Sequence, residues 1–71
     1  MSGEFFLVVF IGEYGESIAY CGDSEIEAYK KYREKSKIYK PKLVRANVKR
    51  KLILGTPFIM SYDIIEVIKE S

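Results

Sequence analysis

Histidine and tryptophan are absent from this 71-residue chain, and cysteine occurs once, as Cys21. Without histidine the chain cannot assemble a Ser-His-Asp triad, a Cys-His pair or a His/Cys zinc cluster. A single cysteine forms no internal disulfide, so nothing indicates a secreted, disulfide-held scaffold. We therefore expect a cytoplasmic, non-enzymatic protein with no catalytic, cofactor-binding or metal-binding residues.

Proline and glycine are scarce, at 2 and 5 residues, and 48% of the chain is hydrophobic. This composition is typical of a folded domain and not of a disordered or collagen-like chain. A chain of this length buries only about 60% of the surface that its unfolded form exposes, which leaves room for one small core. We expect residues 1–71 to form a single domain. The apolar run at residues 5–11 is far short of the ~20 residues of a spanning helix, so no membrane association is expected.

The run at residues 5–11 is rich in aromatic and β-branched side chains, which predicts a strand buried on both faces. Gly12 and Gly15 follow it and favour a turn into a short second strand. Residues 4–21 are therefore predicted to form a hairpin.

A helix is predicted over residues 24–38. Asp23 or Ser24 can serve as its N-cap. Ser24 and Glu27 fit the capping box, in which a hydroxyl and a carboxylate each satisfy a backbone N–H at the helix start. Cys21 precedes this start, where the helix dipole could lower a thiol pKa, although a buried structural cysteine is the simpler interpretation. The inward stripe of the helix consists of Ala28, Tyr29, Tyr32, Ser36 and Tyr39.

After Pro41 the hydrophobic period changes to two. Val44, Ala46 and Val48 alternate with polar side chains, which is the signature of a half-buried strand. Residues 58–68 are ambiguous, because their spacing suits a helix while their Ile, Val and Tyr content favours a strand. We predict a strand there, with a helix as the alternative. The predicted fold class is α+β, a β-β-α-β-β antiparallel sheet with one helix on a face.

Charge is distributed unevenly, although the formal net charge is only +2. Residues 1–29 hold six acidic and no basic side chains, whereas residues 30–51 hold eleven basic side chains and one acidic one. Lys and Arg interleaved with Tyr29, Tyr32 and Tyr39 would suit phosphate neutralisation with base stacking, so nucleic-acid binding is the alternative function. The candidate contacts to nucleic acid or a protein partner are Lys30, Arg33, Lys37, Lys40, Arg45, Asn47, Lys49 and Lys51.

Simpler explanations compete with nucleic-acid binding. Acidic residues at a helix start and basic residues at its end stabilise the helix dipole without a ligand. The tyrosines also fall on the apolar stripe, where they serve a core. If the acidic residues 1–29 fold against the basic residues 30–51, they would cancel the positive field of that segment.

The first strand supports the leading hypothesis, because it is apolar on both faces and one helix covers only one face. The other face must be covered by the curl of the sheet, by a C-terminal helix or by a second copy of the chain. The candidate oligomer surface is Phe6, Val8 and Phe10. We expect a small protein-interaction module that binds itself, as a homo-oligomer, or another protein.

In its length and its Lys, Glu, Ile and Tyr content, the chain resembles the small accessory proteins of phages, prophages, archaea and AT-rich bacteria. Such proteins often bind and modulate a host macromolecule, so the resemblance implies an accessory or regulatory role. No motif carries the resemblance, and it assigns no functional residue.

Overall fold

A computed structural model describes residues 2–70 of the chain. The elements follow one another as β1 (Ser2–Gly12), β2 (Gly15–Gly22), α1 (Glu25–Lys35), β3 (Lys42–Ile53) and β4 (Thr56–Glu70). The strands form one sheet in the order β2-β1-β3-β4, and all neighbouring strands are antiparallel. The α+β fold class and the β-β-α-β-β layout are confirmed, and the ambiguous last segment is a strand.

The helix packs on the side of the sheet that carries Val8 and Leu43, both of which are fully buried. Ala28 and Tyr32 enter this cluster from α1, which confirms the centre of the predicted inward stripe. Phe6 packs against the margin of the cluster and is half-buried. This side of the sheet holds the first of two small cores.

Phe6, Val8 and Phe10, where we expected an oligomer contact, are therefore covered within one chain. Val8 has no exposed surface, and the ring of Phe10 stacks on Tyr39 with 4.6 Å between ring centroids. The ammonium of Lys35 lies 5.4 Å from the centre of the Phe10 ring. The alternation of β1 is as predicted, but α1 packs on the side that we had assigned to a partner, so these three residues do not form an exposed apolar surface.

The opposite side of the sheet is covered by the curl of the sheet. Leu7, Val44 and Val48 are fully buried there, in a cluster separate from the one under α1. Three register shifts in the pairing of β3 with β4 bend these strands. As a result the hydroxyl of Tyr62, on the edge strand β4, donates a hydrogen bond to the carboxylate of Glu16, on the other edge strand β2. The sheet thus resembles a half-open barrel with the second core on its concave side.

Of the two N-cap candidates, Ser24 is the residue that caps the helix. The Ser24 Oγ accepts a hydrogen bond from the N–H of Glu27 at 3.2 Å, which is the hydroxyl half of the capping box. The Ser24 N–H donates to the hydroxyl of Tyr20 at 3.3 Å. A phenol from β2 therefore takes the place that the Glu27 carboxylate has in the full box, and it ties the helix start to the sheet.

The helix ends at Lys35, three residues before the predicted end. The carbonyl of Lys35 accepts hydrogen bonds from the N–H groups of both Ile38, at 3.1 Å, and Tyr39, at 2.8 Å. These bonds close a turn, which brings Tyr39 onto Phe10 before the buried Pro41 leads into β3.

Candidate interaction surface

Large apolar side chains are exposed mainly on the β3–β4 hairpin. Eight of them lie there, and we call this set the hairpin apolar surface: Leu52, Ile53, Leu54, Phe58, Met60, Ile64, Ile65 and Val67. Other exposed apolar residues, such as Ile11, Ile26 and Ile38, are scattered over the rest of the chain. Single exposed apolar residues are ordinary, whereas a concentration of them marks a contact surface.

The hairpin extends beyond its neighbouring strand. The described pairing of β1 with β3 ends at Ser2 and Lys49, whereas β3 and β4 remain paired as far as Ile53 and Thr56. Residues 50–59 therefore form a two-stranded arm, whose base still contacts the body of the domain through Arg50 and Ile59. A two-stranded ribbon is marginally stable in water on its own, so contacts from a partner would stabilise this arm.

The tip of the arm is a strained turn. Leu54 has a φ of 52° and Gly55 a φ of 81°, the combination of a type I′ hairpin turn. Such turns favour Asn, Asp or Gly at the first position, because a bulky side chain disfavours positive φ. Leu54 is nevertheless fully exposed, so packing within the chain does not offset its strain. Strained backbone of this kind is concentrated at functional sites.

Positive charge is concentrated at the base of the arm. Lys49, Arg50 and Lys51 follow one another in β3, and no Asp or Glu occurs between Glu34 and Asp63. Lys49 and Lys51 are exposed, and the guanidinium of Arg50 lies 4.3 Å from the centre of the Phe5 ring. The arm therefore combines an apolar tip with a basic base.

The remaining basic candidates are divided between α1 and the chain that follows it. Lys30 and Arg33 lie on α1, Lys37 and Lys40 lie in the connection to β3, and all four are exposed. The Lys30 ammonium is 3.4 Å from the Glu27 carboxylate. Exposed pairs of this kind contribute at most about 1 kcal/mol, so these cations stay available to a ligand.

Along β3, carboxylates from the two ends of the sequence contact the basic segment, residues 30–51. Arg45 lies between two carboxylates, with Nη1 at 3.3 Å from Glu4 of β1 and Nη2 at 3.8 Å from Glu66 of β4. Asn47 is exposed and is paired in register with Asp63. The positive field expected for the basic segment is therefore reduced at Arg45 and Asn47, and it persists at Lys49 and Lys51, whose β4 partners carry no charge.

The three tyrosines considered for base stacking are packed against the sheet. Tyr32 is 5% exposed and Tyr29 is half-buried beside it. Tyr39 stacks on Phe10, as described above. The structure exposes most of the cations of the candidate nucleic-acid site, but it buries the ring of Tyr32 and packs the rings of Tyr29 and Tyr39 partly against the domain.

Two titratable groups on the concave side have shifted pKa values. Burial, the hydrogen bond to Glu16 and the negative charge of Glu16 together raise the pKa of Tyr62 to about 12. Burial also raises the pKa of the Cys21 thiol, against the opposing effect of the positive charge of Arg50. A raised pKa disfavours the thiolate, which favours the interpretation of Cys21 as a structural cysteine. Across residues 2–70, no cluster of three or more Cys, Asp or Glu side chains could hold a metal ion.

Comparison with known proteins assigns no function. No protein-family model, curated protein or solved structure matches this chain. In the part of the chain that the structure describes, no helix has the length and apolar character needed to cross a membrane. The functional argument therefore rests on the surface of the molecule.

Sequence reasoning did not identify the hairpin apolar surface. The available signal was the run Leu52, Ile53, Leu54 directly before Gly55. Successive side chains of a strand point to opposite faces, so three consecutive apolar residues at the end of a ribbon cannot all be buried by one core. An apolar run next to a turn glycine would have indicated an exposed contact surface.

Proposed function

We propose that the protein is a small non-enzymatic interaction module of accessory or regulatory type that associates with itself in the cytoplasm. The observation that carries the proposal is the concentration of exposed large apolar side chains on the β3–β4 hairpin. Removing such side chains from water on association is favourable at about 25 cal/mol per Å² of apolar surface. The single cysteine, which forms no disulfide within the chain, supports a reducing compartment.

Light scattering on a size-exclusion column, recorded across a dilution series, tests self-association. We expect a dimer or larger species at micromolar concentration that dissociates on dilution, because the apolar surface of one chain is small. A monomer at every concentration would contradict the proposal.

Nucleic-acid binding through the basic segment is the second candidate, and the exposed Lys49 and Lys51 favour it. It ranks second because the tyrosine rings are packed against the sheet and Arg45 already contacts two carboxylates. Fluorescence anisotropy with random single-stranded and duplex oligonucleotides at low salt tests it. Binding should weaken steeply with added salt and disappear in the double variant Lys49→Glu with Lys51→Glu. If no binding is detected at low salt, this candidate is excluded.

A further inference from the structure

We propose that a second copy of the chain pairs its β4 edge antiparallel with the β4 edge of the first copy, so that the two sheets join across a two-fold axis. This inference rests on the proposed function and specifies its contact surface and its symmetry. Four features of β4 carry it: an open edge, an asymmetric charge distribution, exposed apolar side chains, and a better fit than the other edge strand.

The outer edge of β4 is open. Within residues 2–70 this strand pairs only with β3. The backbone N–H and C=O groups of alternate residues therefore point away from the sheet, where another strand can bond to them. Residues 61–64, near the middle of the 15-residue strand, pair with β3 without a register shift. They provide a regular segment around which two copies can align.

The charges of the hairpin select the antiparallel arrangement. The first half of β4, residues 56–62, carries no charge and lies beside the three cations Lys49, Arg50 and Lys51. The second half, residues 63–70, carries three acidic side chains and one basic one: Asp63, Glu66, Glu70 and Lys69. Antiparallel pairing places the first half of each copy against the second half of the other, so the cations of each arm approach the carboxylates of the opposite copy. Parallel pairing would instead align the carboxylates with one another.

The same arrangement covers exposed apolar side chains. Phe58 and Met60, 49% and 61% exposed, lie in the first half of the strand, and Ile64, Ile65 and Val67, 45–48% exposed, lie in the second half. Antiparallel pairing sets the first group of one copy against the second group of the other. Apolar side chains that meet across paired strands are the main stabilising contacts of a sheet.

The other open edge, β2, fits a strand partner less well. It has 8 residues, against 15 in β4, and so offers a shorter edge for pairing. Its exposed large apolar side chain, Ile18, is 36% exposed, whereas those of β4 are 45–61% exposed. The observations therefore assign the pairing edge to β4.

Substitution of a half-exposed β4 residue tests the edge. Val67→Lys should raise the dissociation constant of the dimer by about tenfold or more, because it places an ammonium against the basic arm of the opposite copy. Val67→Glu should weaken the dimer less than Val67→Lys, since a carboxylate there faces the cations. Ile11→Lys and Ile38→Lys, at positions 68% and 78% exposed, make the same chemical change away from β4 and should leave the dissociation constant unchanged. Circular dichroism of each variant establishes that the fold is retained.

Cross-linking compares the two edges directly. In a Cys21→Ser background, Ser61→Cys on β4 and Ser17→Cys on β2 each provide one thiol. A short bismaleimide should join Ser61→Cys chains into covalent dimers and leave Ser17→Cys chains uncoupled.

The outcomes separate this inference from the proposed function. A wild-type protein that is a monomer at every concentration contradicts both. Two outcomes would support self-association but overturn the β4 pairing. One is a wild-type dimer whose dissociation constant is unaffected by Val67→Lys. The other is cross-linking through Ser17→Cys and not through Ser61→Cys.

Discussion

Leu54 occupies a backbone conformation that its side chain disfavours. We expect Leu54→Asn to increase the free energy of unfolding by about 1 kcal/mol, because asparagine tolerates positive φ and no buried contact is lost. Urea denaturation at concentrations where the chain is monomeric measures the change. Leu52→Asn, at an exposed strand position of the same arm, is the matched control and should bring no gain. Equal or lower stability of Leu54→Asn would contradict the strain that we assign to this turn.

The contribution of Tyr62 to the free energy of unfolding depends on pH. Its folded-state pKa of about 12 lies above the ordinary value of 10.0, so the unfolded chain releases the phenolic proton first. The contribution is fully present below pH 10 and is lost as the pH rises from about 10 to about 12. The difference in unfolding free energy between wild type and Tyr62→Phe should therefore change across this window, in the direction of a less stable wild type. A difference that stays constant with pH would rule out the coupling to Glu16.

At the scale of the helix and the strands, the sequence predicted correctly those features that depend on residues close to one another in the chain. The N-cap, the alternation of β3 and the first hairpin depend on residues within a few positions of one another, and they are as predicted. The side of β1 that receives the helix, and the curl that closes the concave core, depend on contacts such as that between Tyr62 and Glu16. These contacts join residues far apart in sequence, and local patterns do not encode them. The same holds for the candidate site. The segments of like charge can be predicted from the sequence, whereas the exposure of the arm depends on the folded structure and cannot.

The helix start permits a test at this scale. Ser24→Ala should lower the free energy of unfolding by about 1 kcal/mol, because the N–H of Glu27 loses its acceptor. Thermal or urea unfolding measures the loss. Ser36→Ala removes an exposed hydroxyl from the other end of α1, where it donates to the carbonyl of Arg33, and should change stability by less than about 0.5 kcal/mol. Equal effects of the two substitutions would show that Ser24 does not act as a cap.

At the scale of the whole molecule, acidic and basic side chains that lie in separate segments of the sequence become neighbours on part of the folded surface. Glu4 of β1 and Glu66 of β4 flank Arg45 of β3, and the basic arm extends beyond β1. If the cations of the arm approach the carboxylates of a second copy, added salt should weaken the dimer, since exposed charges more than about 10 Å apart are largely screened at ordinary ionic strength. Sedimentation of the wild type at low and high salt measures the shift. A dimer that is insensitive to salt, or strengthened by it, would show that apolar contacts alone hold it together.

The position of α1 on one side of the antiparallel sheet has a further consequence. A two-fold axis that joins two β4 edges runs perpendicular to the sheet, so both helices of the dimer would lie on the same side. The exposed Lys30 and Arg33 would then occur twice on one surface. An extended polyanion that spans both helices would be held by two weak contacts at once, with an avidity that neither chain has alone.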